Sequence, residues 1–295
     1  MKVLLLGPNG QLGHDIRTAH AATSRHFDLV CLGREQLDVA NLSEIPRALG
    51  AIDFDVLVNC ASYHKTDEVE DNASLAIAIN SHAVEAMARA CKSRGARLVH
   101  ISTDYVFGGD RTRNRPLVEN DPTQPVNVYG ASKALGETLA QHANEDTVIL
   151  RVASLFGVAG ASGKGGNFVE TMIRLARERG TLKVVDDQIM SPTATADVAS
   201  TVLKLLFDGA PAGIYHVVNS GSASWYGFAR EIIKMTGIDA EIVACSSEDF
   251  PTRAARPRYS VLDNSLTCKR LFEMPAWHDA LERYLVAKGH MRTRK

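Results

Sequence analysis

Residues 2–13 read KVLLLGPNGQLG, an apolar run followed directly by the glycines Gly7, Gly10 and Gly13. The spacing G-x-x-G-x-x-G suits a strand that turns tightly into a helix. Gly7 permits the turn, Gly10 allows a pyrophosphate to approach closely, and Gly13 lets helix and strand pack together. The free N–H groups at the start of that helix attract phosphate. We therefore predict a dinucleotide site with these contacts: Gly7, Asn9, Gly10, Gln11, Leu12 and Gly13.

Further along the chain, short apolar runs alternate with stretches of helical periodicity. We predict strands at 3–6, 28–32, 56–60, 97–102 and 147–152. An Ala-rich stretch at 73–90 has the clearest helical pattern. Continuous apolar runs are typical of strands covered on both faces. Their alternation with helices predicts an α/β fold with a Rossmann-type, doubly wound parallel sheet.

After residue 151 the pattern loosens into a smaller mixed α/β region. We predict helices at 168–179, within 193–207, at 225–235 and at 276–287, strands at 184–185 and 214–218, and a loop at 157–167. A chain of 295 residues with a usual domain size of ~150 predicts two domains. We assign 1–155, with about 181–210, to the dinucleotide-binding domain, and 156–180 with 211–295 to a substrate domain.

Composition excludes several classes of protein. Lys plus Arg is 33 and Asp plus Glu is 34, so the basic excess of a general nucleic-acid binder is absent. The five cysteines are scattered without C-x-x-C spacing, which argues against a disulfide framework or a zinc knuckle. The first apolar run is shorter than a secretory signal requires, and no run approaches the ~20 residues of a membrane span. We therefore expect a cytoplasmic protein without a membrane partner.

The end of the second predicted strand indicates which dinucleotide binds. An acidic residue there binds a ribose 2′-hydroxyl, whereas an arginine accommodates a 2′-phosphate. Arg34 favours NADP(H), while Glu35 directly after it keeps NAD(H) open; a solvated surface arginine is the alternative interpretation. The other predicted cofactor contacts follow the second and third strands: Asp38, Val39, Cys60, Ala61 and Ser62.

Tyr129 and Lys133 have the spacing Y-x-x-x-K, which places both on one face of a helix. A lysine beside a phenol is expected to lower the phenol's pKa, so that the pair exchanges a proton with a substrate oxygen. Thr103 and Asp104 end the fourth strand, where ligands bind in doubly wound sheets. Thr103 is placed to hydrogen-bond the reacting oxygen. Asp104 is either a substrate contact or a turn cap.

Several segments together resemble the dTDP-4-dehydrorhamnose reductase family of the extended short-chain dehydrogenase/reductase superfamily. They are GPNGQLG, GREQLDV, STDYVF, NVYGASKALGE, GNFVETMIRLA, VVDDQIMSPT, SWYGFA and RPRYSVLD, and the resemblance extends from residue 2 to about residue 285. It implies that NADPH or NADH reduces the 4-keto group of dTDP-4-dehydro-6-deoxy-L-mannose to give dTDP-L-rhamnose. By matching positions it implies a catalytic set of Thr103, Tyr129 and Lys133, with Tyr129 supplying the proton. It also implies a homodimer.

A nucleotide-sugar requires donors for its diphosphate and surfaces for its base and sugar. Arg256 and Arg258, on either side of Pro257, are the candidate phosphate donors. Trp225 is interpreted as helix packing and His100 as a core histidine. The predicted substrate contacts are Thr66, Asp67, Asp104, Tyr105, Phe107, Asn167, Gln188 and Arg256.

Some positions depart from the family pattern and leave alternatives open. His64 and Lys65 replace small residues, Ser154 stands where a tryptophan is usual, and Ala196 stands where an acid bridges a metal, so we predict no metal. One alternative is another nucleotide-sugar enzyme, an epimerase or a dehydratase, although Tyr105 replaces a dehydratase acid. The other is a non-catalytic regulatory subunit like the one of methionine adenosyltransferase, which resembles this family.

Overall fold

A six-stranded parallel sheet forms the centre of the molecule, with its strands in the spatial order 213–216, 147–152, 97–103, 56–59, 2–6 and 28–32. The computed structural model describes residues 1–160 and 166–292. The strands are β1 (Lys2–Leu6), β2 (Asp28–Leu32), β3 (Val56–Asn59), β4 (Arg97–Thr103), β5 (Thr147–Val152), β6 (Leu155–Phe156), β7 (Thr181–Val185), β8 (Ile189–Met190), β9 (Thr193–Ala194), β10 (Gly213–His216), β11 (Ala223–Ser224) and β12 (Glu241–Cys245). The predicted Rossmann-type parallel sheet is confirmed.

Helices cover both faces of this sheet. They are α1 (Gln11–Ala22), α2 (Glu44–Gly50), α3 (Thr66–Asp71), α4 (Ala73–Ile77), α5 (Ala83–Ser93), α6 (Val128–Ala143), α7 (Phe168–Arg179), α8 (Thr195–Asp208), α9 (Trp225–Thr236), α10 (Ser265–Arg270) and α11 (Trp277–Ala287). Successive β1 side chains alternate between two cores. Val3 and Leu5 pack with α1 and α8, while Leu4 and Leu6 pack with α2 and α5.

The second strand is less buried than its apolar run predicts. Its side chains are exposed or half-buried, and Val30 is 39% exposed. The reason is topological, because β2 lies at the edge of the sheet and pairs with β1 alone. The expectation that every strand is covered on both faces was therefore wrong for β2.

The helix predicted at 73–90 contains a π-helical turn at Ala78–His82. Asn80 in this turn donates through Nδ2 to Ser132 Oγ of α6 at 3.0 Å. A side chain at Gly136 would overlap the Asn80 carbonyl oxygen, so this glycine allows the two helices to approach closely. The extra residue of the π turn thus turns a polar side chain onto the helix that carries Tyr129 and Lys133.

A second hydrophobic core lies in the later part of the chain. It contains Phe156, residues of α7, α9 and α11, and side chains of β7. Parallel pairing of β7 with β12 places 181–185 in this second unit, while β10 joins the central sheet through β5. The predicted domain division places β7 in the dinucleotide-binding domain and β10 in the substrate domain, so it was wrong for both strands. The remainder of that division stays a prediction.

One predicted segment extends beyond the described residues: the 157–167 loop includes residues 161–165. Among the residues that the structure describes, no helix combines the length and apolar character needed to cross a bilayer.

Candidate active site

A cavity of about 360 Å³ opens at the carboxyl ends of β3, β4 and β5. It extends from the glycine loop to the start of α9, as expected for a ligand site at this edge of a parallel sheet. Many of the predicted site residues line it: Gly10, Gln11, Leu12, Gly13, Cys60, Ser62, Thr66, Thr103, Asp104, Tyr105, Tyr129, Lys133 and Asn167.

The glycine loop has the shape that a dinucleotide requires. Gly7 has a φ of +75° and lies against the backbone of Cys60 and Ala61. A side chain at Gly13 would overlap the Gly7 carbonyl oxygen, so only glycine allows α1 to begin this close to the turn. Within the described chain, Oε1 of Gln11 is buried without a hydrogen-bond partner. The loop therefore offers the cradle and the helix N-terminus that phosphate groups bind.

A second cavity of about 430 Å³ lies beside the loop and is lined by residues that include Asn9, Gly33 and Arg34. The Arg34 side chain is 83% exposed and pairs with Asp38 at 3.0 Å. Arg34 is therefore an accessible cation among the residues that line this cavity. Val39 packs against the hydrophobic core, and neither Asp38 nor Val39 lines this cavity, so their predicted cofactor contact is not supported.

Tyr129 reaches the cavity because α6 begins close to the end of β4. Asn127 caps α6 by accepting a hydrogen bond from the Gly130 N–H at 2.8 Å. A side chain at Gly130 would overlap the Tyr105 carbonyl oxygen. The glycine of the YGASK segment thus lets α6 lie directly against the turn that follows Thr103.

The phenol of Tyr129 is not activated in the way the sequence predicts. Burial raises its pKa above the ordinary value of 10, and a hydrogen bond with Thr103 opposes that rise. Lys133 directs its Nζ toward the sheet, where it donates to the Ile101 carbonyl oxygen at 2.6 Å. The expected lowering of the Tyr129 pKa by Lys133 is therefore wrong for the ligand-free arrangement.

Asp104 is a buried carboxyl group at the wall of the cavity. Its Oδ1 accepts a hydrogen bond from Thr103 Oγ1 at 3.1 Å, and Ser260 also bonds the carboxyl group. Its Oδ2 is buried without a partner among the residues that the structure describes. Burial raises the pKa of Asp104 to about 6. Thr103 accepts from the Tyr105 N–H at 3.2 Å and caps the turn, and the backbone N–H groups of Asp104 and Tyr105 also interact with the Asp104 carboxyl group.

Asp104→Asn is expected to change the pH dependence of stability. The folded-state pKa of about 6 exceeds the ordinary aspartate value of 3.8, so burial of the carboxylate destabilises the fold increasingly as pH rises through this window. The variant's free energy of unfolding should therefore rise relative to wild type by about 3 kcal/mol between about pH 4 and pH 7. Urea denaturation at several pH values measures this difference. A difference that does not vary with pH would refute the assignment.

Asp67 and Arg256 form an ion pair with each other. Arg256 Nη2 lies 2.8 Å from Asp67 Oδ2, and the Ala254 N–H donates to the other oxygen of the same carboxylate. Neither residue is among those lining the cavity, although Arg256 Nη1 is buried without a partner within the described residues. The pair joins α3 to the irregular segment at 253–258.

Two other predicted substrate contacts lie elsewhere. Phe107 is buried in a hydrophobic cluster, with its ring 5.9 Å from that of His216 and 4.9 Å from the Arg151 guanidinium, so this prediction was wrong. Gln188 donates to Ser247 Oγ at 2.8 Å and does not line the cavity. Asn167 does line it, but also caps α7 by accepting from the Glu170 N–H.

The cavity has an aromatic wall that the sequence reasoning did not assign. Phe168 and Trp225 both line it, with their ring centroids 4.6 Å apart, so Trp225 packs and also faces the cavity. His64 and Ser154, noted as departures from the family pattern, line it as well. Ser154 has a φ of +44°, and a left-handed backbone at a non-glycine residue is typical of functional sites.

A buried ion pair lies behind the catalytic face of α6. Arg151 Nη2 is 2.7 Å from Glu137 Oε2, and both side chains are almost fully buried. Glu137 also accepts a hydrogen bond from Ser102, the residue before Thr103. The pair therefore connects α6 to β4 and β5. For metal binding, residues 1–160 and 166–292 contain no group of three or more acidic, histidine or cysteine side chains placed to hold an ion.

Comparison with known proteins agrees with this geometry. Residues 1–289 match the family model described as RmlD substrate binding domain. A dTDP-4-dehydrorhamnose reductase of Burkholderia thailandensis is 36% identical over 298 residues, covering 95% of this chain and 97% of that protein. The spore coat polysaccharide biosynthesis protein SpsK of Bacillus subtilis is 37% identical over 284 residues, covering 96% of each.

Among solved structures, that of the dTDP-4-dehydrorhamnose reductase from Bacillus anthracis in complex with NADP is similar. Its TM-score is 0.89 at 36% sequence identity, covering 97% of this chain and 99% of that chain. The chain therefore belongs to the RmlD substrate binding domain family, the family of dTDP-4-dehydrorhamnose reductases that its motifs predict.

Proposed function

We propose that this protein is an NADP-dependent oxidoreductase that reduces the 4-keto group of a dTDP-4-dehydro-6-deoxy sugar. The proposed substrate is dTDP-4-dehydro-L-rhamnose, and the product is dTDP-L-rhamnose. One observation carries the proposal: Thr103, Tyr129 and Lys133 line the same cavity as the glycine loop. The similarity to reductases of this name supports the substrate class.

The chain's own residues supply the proton and the positioning. The Tyr129 hydroxyl donates a proton to the sugar oxygen as that oxygen becomes an alkoxide. Thr103, which is hydrogen-bonded with Tyr129, holds the reacting oxygen beside the phenol. NADPH, when bound, supplies the hydride. The Phe168–Trp225 wall excludes water from one side of the cavity and offers an apolar surface to the deoxysugar.

Two regions around the site suit two different anionic ligands. The helix N-terminus at Gln11 and the exposed Arg34 serve the cofactor phosphates. Arg256, whose buried Nη1 has no partner among the described residues, serves the sugar-nucleotide diphosphate. We assign the cofactor to the unit built on the central sheet and the sugar-nucleotide to the later unit. We further propose that the protein works as a cytoplasmic homodimer.

Arg34→Ala is expected to weaken NADPH binding selectively. A charge-assisted hydrogen bond to the 2′-phosphate is worth about 1.5–3 kcal/mol, so the Kd for NADPH should rise about 10- to 100-fold. The Kd for NADH should change by less than about threefold, because NADH lacks this phosphate. Fluorescence titration with both cofactors measures the effect. Arg47→Ala, which removes an exposed arginine on α2, serves as the control. An equal loss for both cofactors would contradict this role.

The function is tested by following NADPH oxidation with a panel of dTDP-4-keto sugars. We expect oxidation with dTDP-4-dehydro-L-rhamnose and slower oxidation with sugars of other configuration. Activity that requires no added NADPH, from protein purified with bound NAD, would indicate an epimerase or dehydratase. Absence of oxidation with every sugar would indicate a non-catalytic regulatory protein.

A further inference from the structure

His100 connects Lys133 to a fixed amide in the sheet. The side chain of His100 is fully buried within β4. Its Nδ1 lies 3.1 Å from Asn59 Nδ2, and its Nε2 lies 3.0 Å from Lys133 Nζ. Both neighbouring groups are usually hydrogen-bond donors, yet a neutral imidazole has one donor and one acceptor. In one of the two contacts, the imidazole ring must therefore be the hydrogen-bond donor.

The orientation of the Asn59 amide decides which contact that is. The Ala61 backbone N–H donates to Asn59 Oδ1 at 3.0 Å, which fixes the oxygen on that side. The Nδ2 group consequently faces His100 and donates to Nδ1. Because Nδ1 accepts, it carries no hydrogen, and the neutral ring carries its hydrogen on Nε2.

The Nε2–H of His100 then requires an acceptor, and Lys133 Nζ is the atom it meets. An ammonium group has three hydrogens and no lone pair, whereas a neutral amine has one lone pair. A neutral Lys133 amine accepts from His100 and donates to the Ile101 carbonyl oxygen at 2.6 Å. This arrangement satisfies every atom in the Asn59–His100–Lys133 chain.

We propose that Asn59 and His100 stabilise the neutral amine form of Lys133 before NADPH binds, and that each neutral Lys133 takes up one proton from solvent on binding. The second half rests on the proposed function. The cofactor's negative charge favours the ammonium form in a cavity that Lys133 itself lines. Asn59 and His100 are positioning residues in this scheme.

The electrostatic surroundings of Lys133 agree with a proton that is easily lost. Burial lowers its pKa from 10.5 to about 8, against the opposing effects of Glu137 on the same helix and Cys60 after β3. Burial holds the pKa of His100 well below 6.5, which keeps the ring neutral.

Proton uptake is measured by calorimetry of NADPH binding in buffers of different ionisation enthalpy. Wild type should take up a fraction of a proton that increases from pH 7 toward roughly one at pH 9, and NADPH affinity should fall about tenfold per pH unit above the Lys133 pKa. In Asn59→Asp the carboxylate accepts from Nδ1–H, so Nε2 becomes an acceptor for the ammonium and uptake should be lost.

His100→Phe distinguishes the effect of the His100 hydrogen bond on Lys133 from the effect of burial alone. Removing the Nε2–H donor should reduce proton uptake, whereas an effect of burial alone would leave uptake unchanged or larger in the apolar variant. NADPH binding to wild type without proton uptake at any pH from 7 to 9 would overturn the proposal while leaving the cofactor site intact.

A measurement on the wild-type protein without cofactor depends neither on the proposed function nor on the stability of the variants. Nitrogen-15 NMR of the imidazole groups at pH 9, where Lys133 is mostly neutral, should show His100 with hydrogen on Nε2 and a bare Nδ1. His100→Phe identifies its signal among the ten histidines. The opposite tautomer, or a doubly protonated ring, would overturn the proposal. Failure of NADPH to bind would contradict the proposed function alone, and the tautomer would still decide the ligand-free state of Lys133.

Discussion

Tyr129→Phe is expected to lower kcat for reduction of the 4-keto sugar by about 10²- to 10⁴-fold, the usual contribution of a positioned proton donor. The phenol lines the cavity, is hydrogen-bonded with Thr103, and has its pKa raised by burial, so it is protonated at neutral pH. A raised pKa suits a proton donor to an alkoxide. The Kd for NADPH should remain within about threefold of wild type, since the hydroxyl contributes little to uniform binding.

Steady-state kinetics and a binding titration of the same preparation test this prediction. Tyr215→Phe is a matched control, because this buried tyrosine bonds to the Pro211 carbonyl oxygen and does not line the cavity. The control should retain most of the activity. A Tyr129→Phe enzyme with a kcat within a few-fold of wild type would remove Tyr129 from the proposed chemistry.

Glu137→Gln is expected to lower the free energy of unfolding by about 3–5 kcal/mol, because it leaves the Arg151 guanidinium as an unpaired buried charge. Both side chains of the pair are less than a twentieth exposed, so solvent does not screen the loss. Replacing both partners by apolar residues, as in Glu137→Leu with Arg151→Met, should cost much less than the sum of the two single changes.

Urea denaturation of Glu137→Leu, of Arg151→Met and of the double variant measures this coupling. Arg174→Met breaks an exposed ion pair with Glu178 on α7 and should change stability by less than about 1 kcal/mol. Additive losses in the double variant would show that Glu137 and Arg151 stabilise the fold independently of each other.

The central sheet and the catalytic residues could be predicted because local patterns specify them. Continuous apolar runs locate β1, β3, β4 and β5, because a strand that is covered on both faces consists mostly of apolar residues. The need for glycine at position 13 was predictable from spacing, because the group that excludes a side chain there, the Gly7 carbonyl, is only six residues earlier in the sequence.

Other features depend on contacts between distant segments, which spacing does not encode. Phe107 follows Thr103 closely, yet it turns into the core against His216, more than a hundred residues later. Asp67 and Arg256 each suit a polar ligand, but their pairing emerges only when α3 meets the 253–258 segment. The direction of Lys133 depends likewise on where β4 places His100.

The central claim is that this site delivers a hydride to C4 of a dTDP-4-keto sugar. It is tested most directly by incubating the purified protein with dTDP-4-dehydro-L-rhamnose and NADPH deuterated at the transferring position of the nicotinamide. NMR of the product should show dTDP-L-rhamnose carrying deuterium at C4, one equivalent for each NADPH oxidised. A product without deuterium at C4, or no oxidation of NADPH, would contradict the account.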